Sequence, residues 1–155
     1  MSILIIIILI ALGAFGFGVA VETDCQSAED GCIATVTGSS WMPVEVDGVS
    51  GVIVTGEDGP RFFAADAFWT PSIDDLEAAE LAIASAQGDL DHLRQYVGFI
   101  EGGQHKIYVN GFRDAVGIDW MSELVFVEDG GDAFFQAVYN VDTGELEWFQ
   151  FNGEA

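Results

Sequence analysis

The stretch Thr70–Phe112, TPSIDDLEAAELAIASAQGDLDHLRQYVGFIEGGQHKIYVNGF, decides the fold, because within it the apolar period changes from helical to extended. Thr70-Pro71-Ser72 followed by Asp74 and Asp75 supplies an N-cap, a proline at the first turn and acids beside the positive end of a helix dipole. From there Leu76, Ala79, Ile83, Ala86, Leu90, Leu93 and Val97 recur at three- and four-residue steps, which puts them on one helical face. Gly88 costs about 1 kcal/mol in a helix interior. The spacing therefore predicts one long helix, or two nearly collinear ones with a break near Ala86 to Asp89.

Downstream, strand-like runs cover Tyr96–Glu101, His105–Gly111, Glu123–Glu128, Ala133–Asn140 and Glu145–Phe151. Gly102-Gly103, Asp129-Gly130-Gly131-Asp132 and Asp142-Thr143-Gly144 carry the residues that tight turns require. Ile107 and Val109 alternate with Tyr108, and Trp148 alternates with Phe149 and Phe151, so one sheet face is free to meet the helix. Upstream, Ile33–Thr55 reads as two or three short strands. The predicted class is α+β: one long helix on a curved antiparallel meander, preceded by short strands and an N-terminal hydrophobic helix. This order of elements resembles cystatin-like helix-on-sheet domains, a likeness of fold that carries no function.

At the other end of the chain, Ile3–Val21 is an uncharged apolar run, and every acid and base follows it. At about 1.5 Å per residue it makes a helix of roughly 28 Å, enough to span a hydrocarbon core. A secretory leader fits as well, with an apolar core over Ile3–Ala14 and a small-residue cleavage site at Gly18-Val19-Ala20. Residues 1–21 are thus a signal peptide or a membrane anchor, and 22–155 a single exported domain. No Lys or Arg precedes the run, but the lone positive charge of the N-terminal amino group and the acidic bulk after the run favour a short inside end and an exported body. The body is placed in the cell envelope, anchored by a single pass if the leader stays, or secreted or periplasmic if it is cleaved.

That body carries the whole formal net charge of −22, from 26 acids against four bases, Arg61, Arg94, Lys106 and Arg113. Such a surface repels nucleic acid and anionic lipid. Spread over roughly 7,000 Å², the net charges lie about 18 Å apart, beyond the Debye length of about 10 Å at 0.1 M salt. Cys25 and Cys32 are the only cysteines, and export puts them where disulfides persist. Paired, they close a short loop worth roughly 2.5 kcal/mol. Zinc would need more soft ligands than His92 and His105 supply.

Three segments, FWTPSIDDLEAAE (68–80), RQYVGFIEGGQHKIYVNGF (94–112) and ELVFVEDGGDAFFQAVYNVDTGELEWFQFNGEA (123–155), together resemble small exported bacterial proteins and lipoproteins of unknown function. The resemblance implies an export-directed leader and a compact domain, and no activity. This chain lacks the lipobox of the lipoprotein members.

Chemistry must then come from individual residues. His92 and His105 are the only imidazoles and could serve a hydrolase with a carboxylate partner, although both read more simply as solvated residues, His92 on a helix surface and His105 beside a turn. No nucleophile elbow, P-loop or dinucleotide fingerprint occurs, and no cofactor is implied. Asp129 and Asp132 could hold a cation weakly, but their spacing does not match an EF-hand loop and no metal site is assigned. Among the aromatics, Trp69, Trp120 and Trp148 are candidates for an exposed platform. The expectation is a non-enzymatic module that binds an envelope protein, peptide or glycan, or contributes structure. The alternative is a small extracytoplasmic hydrolase, which needs one imidazole within hydrogen-bond reach of a carboxylate inside a cleft.

Overall fold

Among the described residues, seven strands in one mixed sheet and a single α-helix make up the fold, in the order β1 (Met42–Val46), β2 (Val49–Val54), β3 (Ala67–Trp69), α1 (Ile73–Gln87), β4 (Leu93–Glu101), β5 (Gln104–Phe112), β6 (Phe134–Asn140) and β7 (Glu145–Phe151). The computed structural model describes residues 41–55, 65–113, 117–127 and 130–153. Residues 1–21, Cys25 and Cys32, and Asp129 lie outside the described residues, and so does the part of the predicted strand region before residue 41. Among the described residues no helix is long and apolar enough to cross a membrane.

The helix starts where the sequence places its cap. Ser72 Oγ accepts from the Asp75 amide and the Asp75 carboxylate accepts from the Ser72 amide, a reciprocal capping box. It ends at Gln87, earlier than the apolar spacing predicts. Gly88 leaves the helix at φ 79°, ψ −177°, a conformation open essentially to glycine, while its amide still bonds the Ala84 carbonyl. Leu93 and Val97, counted on the helical face, belong to β4 instead.

The sheet runs β1-β2-β4-β5-β6-β7, with β3 also pairing β4. From β4 to β7 it is the expected antiparallel meander, and the β4–β5 hairpin turns on Gly102 and Gly103, at φ 59° and 79°. The other flank corrects the prediction of an all-antiparallel sheet. β2 pairs the first half of β4 in parallel, Gly51–Val54 against Arg94–Val97, and the three-residue β3 pairs the second half antiparallel. A parallel neighbour requires a crossover, which the chain makes through β3 and α1.

The predicted strand Glu123–Glu128 does not form over its described residues. That segment lies over the sheet, where side-chain amides replace ladder partners. Gln95 Nε2 donates to the carbonyls of Trp120 and Glu123 at 2.7 Å, and Gln95 Oε1 accepts from the Val125 amide at 2.9 Å. Asn110 Nδ2 donates to the Val125 carbonyl at 2.7 Å and to Gln95 Oε1 at 3.0 Å.

Both sheet faces are therefore covered. On one, Leu76, Ala79 and Ile83 of α1 pack against Val46, Ile53, Tyr96, Ile107, Val109, Phe135, Ala137 and Tyr139, with Phe149 and Phe151 beside them. On the other, Trp41, Val52, Val54, Val97, Phe99 and Tyr108 meet Phe68, Trp120, Leu124 and Val138. Each fully buried Leu, Ile or Phe contributes about 1.5–3 kcal/mol.

Candidate functional site

Among the described residues, two regions hold the histidines and Trp148 singled out from the sequence. The first is where α1 ends. The Asp47–Ser50 turn, the 88–93 connection and Arg113 enclose a cleft of about 580 Å³ lined by Val49, Ser50, Asp89, Asp91, His92 and Arg113. A neighbouring cleft of about 380 Å³ shares Val49, Asp89 and Leu90 and reaches Glu80 and Arg94.

Beneath it lies an ion pair the sequence reading passed over. Arg94 is buried and grips Glu80 in a two-point contact, Nε to Oε1 at 2.9 Å and Nη2 to Oε2 at 3.2 Å. Its remaining donors go to the carbonyls of His92 and Leu90, at 2.7 and 3.2 Å, and its guanidinium carbon stands 4.8 Å from the Phe135 ring centroid. Tyr96 Oη donates to Glu80 Oε1 at 2.9 Å, and burial together with that carboxylate pushes the phenol pKa far above its ordinary range. Every charge here is consumed by a partner, so the cluster ties helix to sheet. The signal was in the sequence: Glu80 falls between Leu76 and Ile83 on the apolar side of α1.

His92 corrects the expectation of a solvated helix residue. It precedes β4, is 5 % exposed, and stands edge-on to Phe135 at 5.2 Å. Its Nε2 lies 3.0 Å from the Asp132 carbonyl, an acceptor only, so Nε2 carries the proton and Nδ1 keeps a lone pair. Nδ1 is buried and without a partner among the described residues. Burial, reinforced by Arg94 and Arg113, holds the imidazole pKa below its usual value despite the Asp132 carbonyl. His105 is the opposite case. Its ring is 47 % exposed, its Nδ1 lies 3.5 Å from Asp142, and it meets Trp69 edge-on. The conjunction of imidazole, carboxylate and cleft is thus divided: His92 has the cleft, His105 the carboxylate.

Asp132 lies within a short 3₁₀ turn, Gly131–Ala133, is mostly exposed, and lies 3.4 Å from Arg113. Among the described residues no group of three or more His, Cys, Asp or Glu side chains is arranged to hold a metal.

The second region is the β7 side of the sheet. The three tryptophans do not share one surface. Trp69 packs on the helix face and donates from Nε1 to the Phe99 carbonyl at 3.1 Å. Trp120 lies on the opposite face, edge-on to Phe112 at 5.9 Å. Trp148 also belongs to that opposite face, opposite Val138 at a register shift in the β6–β7 pair, and it is 41 % exposed. Beside it Lys106 Nζ bonds Glu101 at 2.9 Å and Glu147 at 2.8 Å, and Asn140 donates to Glu147 at 2.7 Å. The hydrogen bond from Lys106, with that from Asn140, lowers the Glu147 pKa, while the bonds to Glu147 and Glu101 raise that of Lys106. β7 is a terminal strand: among the described residues it pairs only β6.

Compared with family models, with curated proteins and with solved structures, the chain finds no match.

Proposed function

We propose that the body of this protein is a non-enzymatic binding module of the cell envelope, engaging a protein, peptide or glycan along β7 with Trp148 as its anchor. The observation that carries this reading is the exposure of Trp148 on a terminal strand whose neighbouring aromatics, Phe149 and Phe151, pack against the core. A half-exposed indole on a rigid strand offers large contact area at low entropic cost, and tryptophan is enriched among residues that dominate binding energy. A terminal strand adds backbone donors and acceptors for an extended partner. The apolar run Ile3–Val21 supports an envelope location, as anchor or as secretory leader.

The test immobilises the full chain in detergent micelles and challenges it with a detergent extract of the native envelope, at low and high salt, beside the Trp148→Ala variant. A discrete protein or glycan held by the wild type at high salt and lost from the variant is expected. Equal retention by both proteins, or charge-dependent background alone, would contradict the proposal.

A further inference from the structure

Resting on that reading, we infer that the occupant of the β7 edge is an extended segment rich in Lys or Arg, not a second copy of this chain. Of the terminal strands, β7 has seven residues, β1 five and β3 three, so β7 offers the longest template. The Asn152 amide donates to the Phe134 carbonyl at 2.9 Å. By the alternation of an antiparallel ladder, Gln150 faces β6 in the same way, and Phe149 and Phe151 turn their N–H and C=O groups outward.

Charge then selects the partner. The stretch Val141–Gly153 carries Asp142, Glu145 and Glu147 and no Lys or Arg. Lys106, which reaches β7 through Glu147, is already held between Glu101 and Glu147, and Glu145 is exposed. Two copies paired edge to edge would set these acids against each other on chains of net charge −22. Acids on an edge strand and the register shift at Val138/Tyr139 are devices that discourage self-pairing. A strand alternating bases with apolar residues escapes the first of them. Glu145 and Trp148 share one sheet face, opposite Asn140 and Val138, so its bases would lie on that face, with an ammonium against Glu145 and an aliphatic stem against the Trp148 indole.

The experiment adds seven-residue peptides, alternating Lys-Val, Ser-Val or Glu-Val, to the full chain in neutral detergent micelles, reading affinity and amide exchange at Phe149 and Phe151. The Lys-Val peptide is expected to bind, to slow exchange at both amides, and to weaken at least about tenfold in Glu145→Lys. Loss of affinity with unslowed amides would mark diffuse charge attraction and overturn the inference. Equal protection by Ser-Val would overturn the charge selection while leaving the edge as the site. Protection by no peptide, with Trp148 unperturbed, would remove edge and occupant together. A concentration-dependent dimer that protects the same amides would identify the second copy instead.

Discussion

Glu80 and Arg94 are the residues whose environment departs furthest from what their type suggests, since both are buried between α1 and the sheet and bonded to each other. Removing one member leaves the other as an uncompensated buried charge, which costs about 3–5 kcal/mol. Glu80→Ala is therefore expected to lose that much in urea unfolding, whereas Glu77→Ala, on the exposed side of the same helix, should change little. Equal effects would mean that the pair is solvated. His92 gives a pH-dependent counterpart. Its folded pKa lies below the ordinary 6.5, so the unfolded chain takes up the proton first. Its contribution is complete above pH 6.5, declines as pH falls from there toward the folded value, and is level below that. His92→Gln should flatten this part of the wild-type profile. An unchanged slope between pH 6.5 and 5 would show that His92 is not its source. At this scale the sequence was only partly legible. Glu80 could be found from its helical position, but the burial of His92 depends on the chain leaving the helix at Gly88 and on a turn forty residues away.

Elements were more readable where local chemistry specifies them. The capping box of α1, the glycine hairpin after β4 and the span of β7 all follow from residues adjacent in sequence. Ser72→Ala should cost about 1 kcal/mol, and Gly88→Ala about 1–3 kcal/mol, because alanine must adopt a conformation that Cβ opposes. A neutral Gly88→Ala would contradict the assigned helix exit. What failed had long-range causes. The parallel β2–β4 pairing joins segments about forty residues apart, and nothing in either strand declares it. The three-residue β3 is too short to show a period. ELVFV alternates like a strand, yet Gln95 and Asn110 capture its backbone on the sheet face. Gln95→Met keeps the bulk and removes those bonds, so a loss of about 1–3 kcal/mol for each group left unsatisfied is expected, with faster amide exchange at Val125. Unchanged exchange there would show that another contact pins the segment.

For the whole molecule, the net charge is −22, and 22 of the 26 acids and all four bases fall in residues 39–155, the unit whose sheet is covered on both faces. Self-repulsion should destabilise it where the Debye length exceeds the spacing of charges. Stability is expected to rise between about 10 and 100 mM NaCl, as that length falls from roughly 30 to 10 Å, and then level off. A rise continuing to molar salt would point to specific cation binding. The α+β class was legible as a count of elements; the mixed sheet that joins them was not. On this surface β7 combines a long terminal strand, an exposed indole and an exposed acid, Glu145. The most direct measurement is hydrogen exchange of the full chain in micelles, with and without the partner retained from the envelope. Slowing concentrated on residues 145–151 is the predicted result. Slowing confined to residues 47–50 and 88–93, around the His92 cleft, with β7 unchanged, would contradict it.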